Sequence, residues 1–186
     1  MQPSTTFAKL HAASACVDRY KHLAKALGGI TKYGRNKPIT LLQILDANGL
    51  NDALWALCAC DDSDKFARLL ACDFAKHVLP IFEREYPDDK RPREAIAVAR
   101  RYANGQATDN ELAVARAAAW DAVGAAVGAA AWAAAWAAAG AAAWAAAWDA
   151  AGAAAGAAAW DAARAAEQKW QEQRLRAAIA KAEVPQ

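Results

Sequence analysis

The sequence predicts an all-α protein, and three observations support this fold class. Capping signals recur before apolar residues that are spaced three and four positions apart, as on one face of a helix. Residues 116–164 are mostly Ala, and every fourth position is a Trp, a Gly or a bounding Arg. Ala is the strongest helix former, and no segment is predicted as a strand. We therefore expect the 186-residue chain to fold as a helical bundle.

The N-terminal part is predicted to contain one long helix and two short ones. The spacing of its apolar residues predicts the first helix from about Thr5 to Leu27, ended by Gly28-Gly29. A basic loop is predicted over Ile30–Pro38. Thr40 and Gln43 form a capping box before the second helix, and Asn51 is predicted to cap the third.

Three longer helices are predicted to follow. Asp61-Asp62-Ser63 is predicted to begin the first of them, and Tyr86-Pro87 to end it. Pro92 suits a first helical position, and the helix that it opens is predicted to close at Asn104-Gly105. Thr108 and Glu111 form a second capping box, which opens the Ala-rich region.

Composition predicts two domains. Residues 1–106 form the predicted N-terminal helical domain, and residues 107–186 form an Ala/Trp-rich helical region, packed on the first domain or forming an oligomer interface. Positions four apart drift by about 40° around a helix, so the Trp and Gly positions circle its axis. One straight helix over residues 116–164 would be about 73 Å long, which exceeds a compact domain of this size. We expect either a helical hairpin centred near Gly140 or a continuous helix surrounded by other helices or a second subunit.

We interpret the four-residue repeat as a packing pattern. Ala and Gly let helix backbones approach closely while Trp fills the gaps, which favours helix packing and a homo-oligomer over an aromatic ligand cage. The predicted packing residues are Trp120, Trp132, Trp136, Gly140, Trp144, Trp148 and Trp160. Gly140→Leu or Trp136→Ala is expected to weaken assembly. The uncharged run Ala122–Trp148 is long enough for a membrane span, but Ala and Gly drive insertion weakly, so no membrane association is expected.

Composition and motifs also exclude several classes of function. A formal net charge of +2 gives no global attraction to nucleic acid. Four cysteines and a polar N-terminus predict a reduced, cytoplasmic setting without disulfides. Cys58, Cys60, Cys72 and His77 lack the spacing of a zinc site, so buried cysteines are favoured over a metal centre. No catalytic motif is present, and we expect a non-enzymatic protein without a cofactor.

The densest charged stretch is the best candidate for a polar binding site. It runs from Pro87 to Glu94 and places basic side chains beside the helix N-terminus at Pro92, which suits an anion. Its predicted partner-binding or anion-binding residues are Arg91, Arg93, Arg100, Arg101 and Lys37. Asp121, Asp149 and Asp161 each follow a Trp and are candidates to receive a partner's Arg. The alternative is a solvated turn with local ion pairs.

A family resemblance lies in the same stretch. Its motifs are Phe82-Glu83, Tyr86-Pro87-Asp88-Asp89, Arg91-Pro92-Arg93-Glu94-Ala95-Ile96, Ala99-Arg100-Arg101-Tyr102-Ala103, Glu111-Leu112 and Ala115-Arg116-Ala117-Ala118. Together they resemble the alanine-rich putative immunity protein family, most closely over residues 64–120, more loosely over the first 60 and by composition alone beyond 120. The resemblance implies a small binding protein of bacterial toxin–immunity loci that neutralises its target and has no catalytic residues. Relatives in bacteriophages imply an anti-defence role.

Three hypotheses about function follow. The first is an immunity or phage anti-defence factor that neutralises a toxin or a host defence protein. The second is a sponge that sequesters an anionic nucleotide signal, with Trp stacking on the base and Arg holding phosphate. The third is a structural, self-assembling helical protein. Each predicts a different partner, namely a protein, a small anionic nucleotide or a second copy of the chain.

Overall fold

The structure, a computed structural model, describes residues 3–125 and 157–183. It confirms the all-α fold class. The chain divides into two compact units. The first comprises Met1–Ser63 with Glu172–Gln186, and the second comprises Asp64–Gln171. The predicted division into residues 1–106 and 107–186 stays a prediction.

Short elements build the first unit. In chain order they are β1 (Ser4–Thr5), α1 (Phe7–Ala12), α2 (Val17–Ala26), α3 (Ile30–Tyr33), β2 (Ile39–Thr40), α4 (Leu41–Asn48), α5 (Leu50–Ala56) and a 3₁₀ turn (Leu57–Ala59). The capping box at Thr40 is confirmed, because its hydroxyl accepts the Gln43 N–H at 3.2 Å and the Gln43 side chain accepts the Thr40 N–H at 3.0 Å. This reciprocal pair satisfies donors that the first turn of α4 cannot satisfy itself.

The prediction of one helix from Thr5 to Leu27 is wrong. Thr6 caps α1 by accepting the Lys9 N–H at 3.1 Å, and the helix stops at Ala12. Ser14 then takes a left-handed conformation with φ of +60°, and α2 begins at Val17. The apolar spacing continues across this break, so periodicity alone could not reveal it.

Three smaller predictions in this part also need correction. A two-stranded antiparallel ladder pairs Ser4 with Thr40 and Thr5 with Ile39, although no strand was predicted. The predicted basic loop over Ile30–Pro38 begins with the helical turn α3. Asn51 lies inside α5, which begins at Leu50 after Gly49 with φ of +86°, so a glycine replaces the predicted asparagine cap. These elements are too short to leave a periodic signal in the sequence.

The core of the first unit gathers one aromatic side chain and several aliphatic ones. Phe7 is completely buried, and its ring meets Tyr20 and Tyr33 edge-on at centroid distances of 5.4 and 5.8 Å. The other large buried side chains are Leu10, Leu23, Ile39, Leu41, Ile44, Leu45, Leu54, Leu57, Leu175 and Ile179. The last two come from the C-terminal helix, α9 (Ala157–Glu183). Arg176 of the same helix bonds Asp46 of α4 at 2.7 Å.

Long helices build the second unit. They are α6 (Asp64–Glu85), α7 (Arg91–Ala103), α8 (Asp109–Ala125) and the part of α9 that ends at Gln171. Four predictions are confirmed: α6 ends before Tyr86-Pro87, Pro92 lies in the first turn of α7, Asn104-Gly105 follows α7, and Thr108 with Glu111 caps α8. The start of α6 is corrected, since Asp61-Asp62-Ser63 precedes the helix and Ser63 bonds the Leu57 carbonyl at 2.7 Å.

Small residues let the helices of the second unit pack closely. α7 contacts both α6 and α8. Their shared core consists of Cys72, Ala75, Leu79, Ile96, Ala99 and Leu112, with Tyr102 packed against it. Two alanines at this contact allow short distances between the helix axes. The seam between α6 and α7 is therefore apolar inside, and its charged side chains lie along its edges.

Most of the four-residue repeat lies outside the described residues. This holds for Trp132, Trp136, Gly140, Trp144, Trp148 and Asp149, and for the side chains of Trp120, Asp121, Trp160 and Asp161. Trp120 belongs to α8, and Trp160 with Asp161 belongs to α9. The predicted packing role of these residues and the choice between hairpin and single helix stay predictions. Within residues 3–125 and 157–183, no helix is both long and apolar enough to cross a membrane.

Candidate protein-binding surface

A tight turn joins α6 to α7 and holds the charged residues that the sequence singled out. The Asp89 N–H donates to the Tyr86 carbonyl at 3.2 Å, which closes the turn. Oδ1 of Asp89 accepts the Arg91 N–H at 3.1 Å, so this carboxylate satisfies a donor at the start of α7. The Arg91 side chain also donates to Asp89, from Nε to Oδ1 at 2.9 Å and from Nη2 to Oδ2 at 2.6 Å. The turn is thus a closed, hydrogen-bonded unit.

Arg93 ties α7 back to α6. Its Nε and Nη2 atoms both lie 2.6 Å from the carboxylate oxygens of Glu83, a bidentate geometry that fixes both side chains. The hydrogen bond from Arg93 lowers the pKa of Glu83, and the hydrogen bond from Arg91 lowers the pKa of Asp89. Both carboxylates are therefore ionised at neutral pH, and the two arginines are held by them.

The other predicted cations lie apart from this pair. Arg100 bonds Asp73 of α6, and Arg101 bonds Glu111 of α8 at 3.1 Å. These two arginines follow Arg93 by about two turns of α7, or roughly 10 Å. Lys37 belongs to the first unit, where its ammonium lies 4.8 Å from the centre of the Tyr33 ring. The structure therefore brings Arg91 and Arg93 together at the turn, and each predicted cation contacts a side chain of its own unit.

Exposed apolar side chains accompany the turn, and sequence reasoning missed them. Tyr86 is 39% exposed, and its ring stacks on Phe82 with a centroid distance of 5.1 Å. Ile81 is 43% exposed on the last turns of α6. For Tyr86 the sequence did carry a signal. A residue directly before proline tends to leave the helical conformation, so the position of Tyr86 before Pro87 indicated a place in the turn after α6.

A second group that sequence reasoning missed connects α6 and α9 within the second unit. His77 and Trp170 are stacked almost parallel, with ring centres 3.7 Å apart and planes at 5°. Nε2 of His77 lies 3.2 Å from a carboxylate oxygen of Glu167, and Phe74 meets Trp170 edge-on at 5.9 Å. Only the folded chain reveals this group, because its two helices are distant in sequence.

The cysteines are not arranged as a metal centre. Burial raises the pKa of Cys60 to about 12 and that of Cys72 to about 11, so both thiols stay protonated at neutral pH. Cys58 and Cys60 belong to the first unit, whereas Cys72 and His77 belong to the second. In the part of the chain that the structure describes, no group of three or more His, Cys, Asp or Glu side chains is placed to hold a metal ion.

These features describe an all-α protein with a hydrogen-bonded, charged turn between two long helices. The chain belongs to the Imm-5 like putative immunity protein family, whose profile matches residues 63–183. The family resemblance predicted from the sequence is confirmed, and the match extends beyond residue 120. It begins next to Asp64, where the second unit starts, and includes α6, α7 and their turn. No curated protein and no solved structure matches the chain significantly.

Proposed function

We propose that the protein neutralises a toxin by binding it directly, and that the turn between α6 and α7 is the contact surface. Family membership supports an immunity role, and immunity proteins in general bind a toxin without catalysing a reaction. The matched residues 63–183 include the whole turn. We call Tyr86, Arg91 and Arg93, with their supporting carboxylates, the turn surface.

The observation that carries this proposal is the fixed geometry of exposed Tyr and Arg side chains. Stacking on Phe82 holds Tyr86, and the carboxylates of Asp89 and Glu83 hold Arg91 and Arg93. Tyr and Arg are enriched among the residues that dominate binding energy at protein interfaces. Side chains that are already held lose little conformational entropy when a partner binds. The turn surface is therefore suited to binding a protein.

Charge balance favours a protein partner over an anionic nucleotide. Residues 83–94 carry four basic and five acidic side chains, so the turn has no excess of positive charge. A phosphate at Arg93 would compete with Glu83 for the same guanidinium, and one at Arg91 would compete with Asp89. Displacing a bidentate carboxylate would offset much of the energy of a new bond to phosphate. The nucleotide sponge is therefore the weaker alternative.

The direct experiment is coexpression with each candidate toxin gene that sequencing of this protein's own genomic neighbourhood identifies. Coexpression of the wild-type protein is expected to restore growth of bacteria that produce the toxin, and calorimetry on the purified pair should show a stoichiometric complex. Tyr86→Ala is expected to weaken binding by about tenfold or more, since it removes an exposed aromatic anchor. Trp55→Ala is the matched control, because Trp55 is an exposed aromatic residue of the first unit.

Each alternative has its own signature. Failure of the wild-type protein to bind or neutralise this toxin would refute the immunity proposal. Heat on titration with cyclic or ADP-ribose-type nucleotides would instead support the sponge. Restoration of phage growth on a defended host, through a complex with a defence protein, would support the anti-defence variant. Homo-oligomer formation through the four-residue repeat is tested separately, by the mass of the Gly140→Leu protein in solution.

A further inference from the structure

One side of the second half of α6 is exposed. Its residues are Lys76, His77, Pro80, Ile81 and Arg84, which we call the α6 arc. At 100° per residue they fall within about 140° of the helix circumference. The opposite side of the same segment carries Val78, Leu79 and Phe82, all of them buried. The exposure of the arc is therefore a property of one helix face.

The α6 arc has an apolar centre between two cations. Pro80 and the 43% exposed Ile81 lie between Lys76 and Arg84, which are separated by about 12 Å along the helix. At the His77 end, the parallel stack with Trp170 adds an aromatic surface from α9. An apolar centre with a charged border is the usual anatomy of a protein interface.

The cations of the arc differ from those of the turn surface. Neither Lys76 nor Arg84 makes an ion pair or a side-chain hydrogen bond with any described residue. Three carboxylates of α6 and α9 pair with other residues, namely Asp73 with Arg100, Glu83 with Arg93 and Glu167 with His77. No residue of the arc is acidic. Within residues 3–125 and 157–183, the structure thus pairs neither cation of the arc with a carboxylate.

We propose that the α6 arc binds an acidic segment of the toxin, with carboxylates against Lys76 and Arg84 and apolar side chains against Pro80 and Ile81. This inference rests on the proposed toxin-binding function and names the chemistry of the partner. Two cations around an exposed isoleucine are complementary to an acidic, amphipathic protein segment. Nucleic acid would leave Ile81 without an apolar partner, and it selects surfaces with many more phosphate contacts.

The experiment compares charge-reversed proteins in binding to the purified toxin. The Lys76→Glu/Arg84→Glu double variant is expected to weaken binding by about tenfold at low salt, since both attractions become repulsions. The difference should shrink at high salt, because exposed charges are screened. The control is Lys21→Glu/Lys25→Glu, which makes the same charge change at two exposed lysines of α2. It should bind like the wild type.

A second pair of variants tests the apolar centre. Ile81→Asp is expected to weaken binding by about tenfold or more, whereas Val114→Asp, at a 61% exposed valine of α8, should leave it unchanged. Circular dichroism melts should show that both proteins fold. Hydrogen exchange on the complex should slow across residues 76–85.

The outcomes separate the two proposals. If the wild type binds the toxin while the charge-reversed and Ile81→Asp proteins bind equally well, the arc proposal is wrong and the immunity function stands. If the wild type does not bind the toxin, the immunity function fails and the arc proposal fails with it. Binding of DNA or self-association that the double variant abolishes, without an effect on the toxin, would also overturn the arc proposal.

Discussion

The two units satisfy their polar groups in different ways. In the first unit many long-range hydrogen bonds run from a side chain to a backbone carbonyl, as from Thr5 to Ala59 at 2.6 Å and from Asn48 to Arg19 at 2.9 Å. In the second unit they join side chains of different helices, as from Arg93 to Glu83. Short helices leave a larger share of their carbonyls unsatisfied than long helices do, which explains the difference.

The two kinds of hydrogen bond differ in how much stability is lost when their side chains are replaced. A side chain that satisfies a buried carbonyl cannot be exchanged without a cost in stability. A pair of exposed side chains on two long helices can be changed while the backbone and the core stay intact. We therefore expect substitutions at the exposed ion pairs of the second unit to cost little stability, and substitutions of the buried hydrogen-bonding side chains of the first unit to cost more.

The largest expected effect comes from the core of the first unit. Phe7→Ala removes a completely buried ring that contacts Tyr20 and Tyr33, and it should lower the free energy of unfolding by about 3–5 kcal/mol. Urea denaturation measures this loss. Val17→Ala, at a 63% exposed position, is the control and should change stability little. A loss below about 1 kcal/mol for Phe7→Ala would contradict the packing described for this unit.

A smaller effect is expected from a single buried hydroxyl. Thr5 is 1% exposed and donates to the Ala59 carbonyl, so Thr5→Val leaves that acceptor unsatisfied. The expected loss in the free energy of unfolding is about 1–3 kcal/mol, by the same urea measurement. Thr31→Val, at an exposed threonine, makes the matched change without a buried partner. If the two variants were equally stable, the hydrogen bond from Thr5 to the Ala59 carbonyl would not contribute to stability.

Ion pairs of the second unit should contribute less. Arg100→Gln removes the bond to Asp73 at a partly exposed seam, and the expected loss is at most about 1 kcal/mol. Added salt should reduce the difference from the wild type. A loss as large as that of Thr5→Val would show that the second unit depends on its polar seam as strongly as the first depends on its buried hydrogen bonds.

The smallest expected effect concerns acid pH at the turn surface. The pKa of Glu83 and that of Asp89 are lowered by hydrogen bonds from Arg93 and Arg91. Both pKa values lie below those of the unfolded chain. The contribution of these two carboxylates to the free energy of unfolding is therefore complete above about pH 4–5, and it is lost as the pH falls through their folded-state pKa values. Carbon NMR titration of the carboxyl groups measures this directly. Arg93→Gln should return the pKa of Glu83 toward its ordinary range and leave that of Asp89 lowered.

Prediction from sequence succeeded where a local signal specifies a local structure. The capping boxes at Thr40 and Thr108, the helix end before Pro87 and the place of Pro92 in the first turn of α7 each depend on a few neighbouring residues. It failed at Ser14, where a left-handed residue divides two helices that share one apolar spacing. It also failed for β1 and β2, since a two-residue strand needs a partner about 35 positions away.

The candidate site was predicted in part. Charge density located the turn around Arg91 and Arg93. Its ion pairs with Asp89 and Glu83 agree with the alternative of local ion pairs, and its role in binding stays a proposal. The sequence analysis did not identify Lys76, Ile81 and Arg84, because a single exposed residue gives no pattern that predicts a binding surface. Their significance arises from the helix face that they share.

The sequence by itself determined the fold class, the main capping positions, the family and the location of the charged turn. These follow from interactions between residues a few positions apart, which any chain with the same local sequence would make. Only the tertiary structure decided which carboxylates of α6 hold Arg93 and Arg100, that Trp170 stacks on His77, and which face of α6 is exposed. Such contacts join residues that are distant in sequence, and they exist only after the helices have packed.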